Sequence, residues 1–228
     1  MVPTNVLQRT FQIKHGDKTG TCFTIDQDGK QYIITARHVV SGFKPQQSIS
    51  VSHQKQWKDL PCEIVGLGDG DVDIAVLAPP YQISPTHPLP ATTALLYLGQ
   101  DAYFLGFPYG LHTDVGALNA DFPLPLIKKA CVSSMNCFPG RQMNYVLLDG
   151  HNNPGFSGGP VVFYPPGRID QVKVGAVISS YKYEWDPVFL EGKQTPLAYR
   201  YNTSIIVAFA IEYAVNLIKA NPIGASVT

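Results

Sequence analysis

The sequence predicts an all-β fold of two lobes, closed by one C-terminal helix. Three observations carry that expectation. Alternating and β-branched runs fill most of the chain. Its 228 residues include 20 glycines and 19 prolines, above the ~12% usual for the two together, so turns are frequent and long helices have little room. Finally, the stretch PPYQISPTHPLP after Ala78 is too rich in proline for a central strand and divides the chain.

In order, Val6–Lys14, Thr19–Ile25, Gln31–Thr35, Ser48–Ser52, Cys62–Gly66 and Ile74–Ala78 read as strands. Asp28-Gly29 lies between the second and third and signals a tight hairpin. Residues 1–80 therefore form the first lobe, 81–100 a linker, and 101–228 the second lobe. In that second lobe Ala102–Gly106, Ile127–Ser134, Asn144–Leu148, Val161–Tyr164 and Val172–Ser180 read as strands, a spacing that suits a sandwich or a barrel. From Phe209 to Ala220 apolar residues recur at three- and four-residue steps, and Asn221-Pro222 stops what reads as a helix.

Composition excludes several function classes. Seventeen basic residues balance seventeen acidic ones, which argues against a protein-wide footprint for nucleic acid. The longest apolar run, Ile205 to Ile211, is far short of the ~18 residues of a membrane-spanning helix. No basic region followed by an apolar run opens the chain, so a cytoplasmic location is expected unless the sequence begins after processing. Cys22, Cys62, Cys131 and Cys137 match no zinc spacing and read as reduced thiols. A Cys131–Cys137 disulfide would need an oxidising compartment. His15, His53, His87 and His112 are scattered through turns, and no metal or cofactor is expected.

Chemistry concentrates in three segments. Gly155-Phe156-Ser157-Gly158-Gly159-Pro160 holds a serine in a glycine turn, a pattern expected by chance in roughly one such chain in several thousand. A serine nucleophile needs backbone N–H groups aimed at the oxygen that becomes negative during acyl transfer. Gly155 lets its own N–H and that of Ser157 converge, and Gly158 and Gly159 are expected to clear the substrate's approach. Tyr32-Ile33-Ile34-Thr35-Ala36-Arg37-His38 delivers an imidazole just past a strand, where it can take the serine proton and return it. In Asp69-Gly70-Asp71-Val72-Asp73-Ile74 a carboxylate heads a buried strand, a costly place unless paired, and an imidazole N–H suits it. Asp73, adjoining the strand, is preferred over Asp71 and Asp69, which read as turn residues.

TARHVV, DVDIAVL and GFSGGPV, in the chain order His, Asp, Ser, resemble the trypsin/chymotrypsin-like serine proteases. GTCFTID is similar to the family's strand before the histidine. LGFPYG and the closing VAFAIEYAVNLIKA are similar to bacterial high-temperature-requirement (Deg-type) protease domains. The resemblance covers nearly the whole chain. It implies a chymotrypsin-like fold of two antiparallel β-barrels with a cleft between them; with no PDZ-like domain expected after residue 228, a Deg-type oligomeric chaperone function is not implied.

By that resemblance His38 is the general base, Asp73 its orienter and Ser157 the nucleophile, with an oxyanion hole from the N–H groups of Gly155 and Ser157. Gly175–Ser180 would pair with an extended peptide or protein substrate. His151 and Asn152 would form the base of the primary pocket, with Val177, Ile178, Ser179 and Ser180 beside it. No acid stands at that base, which disfavours substrates cleaved after Arg or Lys. His151 either receives an acidic side chain or merely shapes a small apolar pocket. Trypsins carry an aspartate before the nucleophile that pairs with a new N-terminus. Phe156 stands there instead, so activity without N-terminal cleavage is expected, in a bacterial-type enzyme. Tyr181-Lys182-Tyr183-Glu184-Trp185 reads as a loop over the cleft edge, within reach of substrate, and Asn202-Thr203-Ser204 as a glycosylation acceptor only on a secretory route. Two readings compete with the endopeptidase: a protease-fold binding module without catalysis, and an esterase on the same fold. Whether an activating partner exists stays open.

Overall fold

The computed structural model describes residues 1–44, 47–136 and 145–228. A helical turn, α1 (Thr4–Leu7), precedes β1 (Thr10–His15), where the sequence suggested a strand from Val6. Then come β2 (Lys18–Gln27), β3 (Lys30–Thr35), β4 (Ser48–His53), β5 (Gln56–Pro61), β6 (Glu63–Leu67) and β7 (Ala75–Ala78). They form one antiparallel sheet in the order β5-β4-β1-β2-β3-β7-β6. Asp28 and Gly29 both take positive φ, 51° and 74°, as the tight β2–β3 turn requires. β5 escaped the sequence reading because only Leu60 in QWKDLP is buried, which leaves no alternation to detect. Since β5 and β6 are the two edges of the sheet and only Cys62 separates them, the sheet curls round on itself. Phe11, Ile13, Cys22, Ile33, Ile49, Cys62 and Leu77 fill its interior.

The second sheet is a closed antiparallel barrel. Its strands are β8 (Asp101–Gly106), β9 (Leu126–Met135), β10 (Tyr145–Asp149), β11 (Pro160–Phe163), β12 (Lys173–Leu190) and β13 (Lys193–Ala210). They close in the order β10-β13-β12-β11-β8-β9. The aromatic stretch after Ser180 is not a loop. β12 and β13 run on together as a hairpin, turning at Glu191-Gly192 with φ 50° and 77°. That dipeptide is the same kind of signal as Asp28-Gly29, and the alternating run ahead of it completes the hairpin pattern. Cys137, and with it the question of its pairing to Cys131, lies outside the described residues.

Strands facing both an interior and a neighbouring layer bury both sides. In β3, Ile33 points into the first sheet, while Tyr32 and Ile34 join a shared core with Leu105, Val162, Val174 and Val177 of the second. In β12, Val177 lies in that shared core and Ile178 inside the barrel. Each such side chain contributes ~1.5–3 kcal/mol by leaving water. The final helix, α2 (Glu212–Ala220), starts after Ile211 because Phe209 and Ala210 still belong to β13. Its Ala214 and Ile218 complete the shared core, and the Asn221 amide donates to the Val65 carbonyl at 3.1 Å. The chain ends on the first sheet, where β14 (Ala225–Ser226) pairs with β3.

The proline-rich segment holds no ladder of its own, so its polar backbone groups need other partners. Gln31, fully buried, supplies them: its Oε1 accepts from the N–H groups of Ile83 and Ser84, and its Nε2 donates to the Ser84 carbonyl. No helix among the described residues is long and apolar enough to cross a membrane.

Candidate active site

Three turns meet between the two sheets. The first follows β3: Ala36 is buried, and His38 is delivered into the opening with its side chain half-exposed. The second precedes β7 and carries Asp73. Arg37 ties these turns together, because its guanidinium donates to the Gly68 and Gly70 carbonyls and its N–H to the Asp73 carbonyl. Asp73 then faces His38 twice. Its Oδ2 lies 2.6 Å from His38 Nδ1, and its Oδ1 accepts the His38 N–H at 2.9 Å. A third donor, the Ser179 hydroxyl, reaches Oδ2 at 2.6 Å. Burial pushes the Asp73 carboxyl up, but the hydrogen bonds from His38 and Ser179 outweigh it and hold the group below its ordinary value. Asp69 and Asp71 are exposed, as turn residues are.

The third turn carries Ser157. Gly155 has φ 108°, open to glycine and strained for other residues, and its backbone passes so close to Phe107 that a Cβ would lie 2.3 Å from that carbonyl oxygen. The expectation that Gly158 and Gly159 clear a path for substrate is corrected. A Cβ on Gly158 would meet the Thr21 carbonyl oxygen at 2.1 Å, and one on Gly159 the Leu105 carbonyl oxygen at 2.0 Å. These glycines let the turn press against backbone inside the protein. Thr21 fixes it there: its N–H donates to the Ser157 carbonyl at 2.8 Å and its hydroxyl to the Gly155 carbonyl at 2.7 Å. Among the described residues, the N–H groups of Gly155 and Ser157 have no acceptor. The Ser157 hydroxyl donates to the Ser179 carbonyl at 3.0 Å.

The structure thus brings together His38, Asp73, Ser157 and Ser179. Ser179, read from the sequence only as a substrate contact, bridges two of the other three: its hydroxyl holds Asp73 and its carbonyl holds Ser157. Val177 and Ile178 present no side chain to a substrate, since both are fully buried. Their backbones are also flanked by β11 or its preceding glycines on one side and β13 on the other, so among the described residues only the end of Gly175–Ser180 beyond Ile178 has no strand on its outer side. Asn152 is buried, and its amide donates to the Ser180 carbonyl at 3.2 Å, while its Oδ1 has no partner among the described residues. His151 is exposed, 3.4 Å from the Ser204 hydroxyl. Phe156 is buried edge-on against Phe104, with ring centroids 4.8 Å apart.

Thr21 and Lys128 were not legible as site residues. Lys128 donates to the His151 carbonyl and to Asn153 Oδ1, and so braces the approach to the Ser157 turn; burial lowers its ammonium pKa. The only signal for Thr21 was its place in GTCFTID. Lys128 stands beside Lys129 on an alternating strand, where nothing separates a brace from a solvated lysine.

The architecture is shared with solved structures. An inactive serine-to-alanine mutant of Rv3671c from M. tuberculosis H37Rv superposes with a TM-score of 0.59 at 17% identity, covering 99% of this chain and 92% of that one. The HtrA-type protease AlgW with a tripeptide gives 0.60 at 18% identity, covering 95% of this chain and 61% of that one. At these identities the likeness speaks for the fold. No curated protein sequence matches the chain. The model of the trypsin-like peptidase domain matches residues 20–168, more than half of the sequence, and the chain belongs to that family.

Proposed function

We propose that this protein is a serine endopeptidase that cleaves peptide bonds through an acyl-enzyme on Ser157. The carrying observation is Asp73, which accepts three hydrogen bonds and directs two of its contacts at His38. A carboxylate so placed holds Nδ1 protonated and leaves Nε2 as the basic nitrogen.

In the resting arrangement the Ser157 hydroxyl rests on the Ser179 carbonyl. A substrate N–H donated to that carbonyl competes for it, and rotation about the Ser157 Cα–Cβ bond then carries Oγ to His38. Nε2 takes the proton as Oγ bonds to the scissile carbonyl carbon. The carbonyl oxygen becomes negative and is received by the N–H groups of Gly155 and Ser157. His38 returns the proton to the leaving amine as the C–N bond breaks. Water then repeats the sequence on the ester: His38 takes its proton, the C–O bond to Ser157 breaks, and Oγ regains a proton.

Phe156 supports activity without N-terminal cleavage. Its ring sits in an apolar layer with Phe104, so no buried carboxylate there awaits a new ammonium. Fluorophosphonate labelling, read by intact mass beside a Ser157→Ala variant, tests the whole reading. Labelling of the unmodified chain alone is expected. Labelling of neither would favour a binding module, and cleavage of simple esters without peptide amides would favour an esterase.

A further inference from the structure

The β12–β13 ribbon leaves both an edge and apolar surface without a partner. β13 covers one side of β12 as far as Leu190, and among the described residues no strand covers the other side from Ser179 outward. At ~3.3 Å per residue that edge is roughly 40 Å long. Long open edges invite pairing, and folded proteins usually shorten, cover or charge them. A two-stranded ribbon also stabilises itself poorly in water. Trp185, Phe189, Leu190, Leu197 and Tyr199 on this ribbon are 52–68% exposed, and grouped apolar surface of that kind marks an interface.

The charges on this edge form a couple without partners. Lys182 and Glu184 are exposed and stand two residues apart, so they share a face of the strand. Neither joins an ion pair among the described residues. The Ser180 and Lys182 carbonyls are already taken, by the Asn152 amide at 3.2 Å and the Thr203 hydroxyl at 2.9 Å. By alternation the backbone groups of Tyr181, Tyr183 and Trp185 face the open side.

We infer that the occupant is a second copy of this chain, whose β12 pairs antiparallel with β12 about a two-fold axis at Tyr183. A two-fold axis normal to the ribbon keeps each face on its own side, so even-numbered residues meet only even-numbered ones. Centred on Tyr183, the pairing sets Lys182 opposite the partner's Glu184, and Glu184 opposite the partner's Lys182. Asp186 meets the partner's Ser180. On the other face Tyr181 meets the partner's Trp185, and the two Tyr183 rings lie side by side. Opposite charges and aromatic rings are favourable cross-strand pairs, whereas like charges directly opposite destabilise. The neighbouring registers fail on that ground. A centre at Glu184 sets that carboxylate against its own copy, and a centre at Lys182 does the same with ammonium groups. A centre at Trp185 sets Glu184 against the partner's Asp186. The charge pattern therefore selects one register, in which two ribbons become one four-stranded sheet.

This pairing also closes the candidate site. It brings the partner's Pro187 opposite Ser179, whose carbonyl receives the Ser157 hydroxyl at 3.0 Å. The partner's ribbon then lies across the approach to Ser157, and by symmetry each copy closes the other. The chain is thus a closed dimer when concentrated and an open monomer when dilute. The closure rests on the endopeptidase reading; the pairing does not.

Sedimentation of the full chain carrying Ser157→Ala over a dilution series tests the pairing, and a reversible dimer is expected. Lys182→Glu and Glu184→Lys, each introduced alone, should weaken it at least ~10-fold, because each sets like charges opposite one another. An equimolar mixture of the two single variants should dimerise again, and so should the chain carrying both changes, since opposite charges then meet. Amide exchange at Tyr181, Tyr183 and Trp185 should slow as the chain is concentrated, a readout that needs no change in the ribbon. A monomer at every concentration, exchange at those amides that ignores concentration, or a dimer indifferent to the single reversals would overturn the pairing. So would a mixture that stays monomeric although both variants keep the parent's circular dichroism. Closure is read on the unmodified chain: peptide-amide turnover per chain should fall as it is concentrated, and should not fall in Glu184→Lys. Constant turnover across the dimerisation range refutes the closure. Fluorophosphonate labelling of the dilute chain reports separately on Ser157. A monomer that neither labels nor cleaves refutes the endopeptidase and the closure with it, while the pairing stands or falls on sedimentation and exchange.

Discussion

The Thr21 hydroxyl donates to the Gly155 carbonyl at 2.7 Å, and so ties the first sheet to the turn that carries Ser157. The same oxygen accepts the Phe107 N–H at 3.2 Å, and Thr21 is fully buried. Thr21→Val keeps the shape and strands both partners. We expect a loss of ~1–3 kcal/mol in urea unfolding, the usual cost of leaving buried polar groups unpaired. Fluorophosphonate labelling should slow as well, because the turn that carries Ser157 loses its anchor. Unchanged labelling would show that the turn holds itself.

Two glycines separate backbone strain from collision. Gly42 and Gly158 both have positive φ, 81° and 85°, but a Cβ on Gly42 meets open space and one on Gly158 meets backbone oxygen. Gly42→Ala should cost ~1–2 kcal/mol from the left-handed conformation alone. Gly158→Ala adds the cost of overpacking, for a total of ~2–5 kcal/mol. Equal unfolding midpoints for the two variants would refute this account.

Asp73 sets an acid limit. Its folded pKa lies below the ordinary value, so the stability it contributes is fully present above that ordinary value and is lost as pH falls through the folded one. Ser179→Ala removes one of the donors that lower the pKa. The acid unfolding transition, followed by circular dichroism, should move to higher pH. No shift would mean that His38 alone sets the carboxylate.

The buried thiols set an alkaline limit. Cys22 is raised by burial and by the nearby Cys62, and burial pushes Cys62 up to about 12. Both stay protonated in the fold above the ~8.5 of a free thiol, so stability should fall as pH rises from there toward the folded values. Both should also resist iodoacetamide until the chain unfolds, as peptide mapping would report.

Lys128→Met leaves the His151 carbonyl and Asn153 Oδ1 without their ammonium. Labelling of Ser157 should fall by ~10–100-fold, the cost of a small displacement in a reacting site. Lys128→Arg, which keeps the charge and donors, should recover part of it. Full labelling in Lys128→Met would show that the brace is dispensable.

His38, Asp73 and Ser157 were legible because each chemistry left a local mark: an imidazole just past a strand, a carboxylate heading a buried one, a serine between glycines. The strands around them were legible for a similar reason. Ile33 in β3 and Val76 in β7 sit in short, continuous β-branched runs that are buried on both faces. β5 was lost because its side chains are exposed, and exposed strands show no alternation. Tyr181 to Trp185 reads as a loop for the opposite reason: Tyr183 and Trp185 are apolar yet exposed.

The sequence by itself determined the fold class and singled out three candidate residues whose chemistry a local pattern can display. Tertiary structure decided what depends on distance across the chain. Only packing brings the Ser179 hydroxyl to Asp73, separated by more than a hundred residues, and presses Gly158 against Thr21. It also decided that Gly175–Ile178 is interior, while among the described residues no strand pairs with the outer side of β12 from Ser179 onward. Strand pairing is a property of neighbours, and no single strand records in its own residues who its neighbours will be.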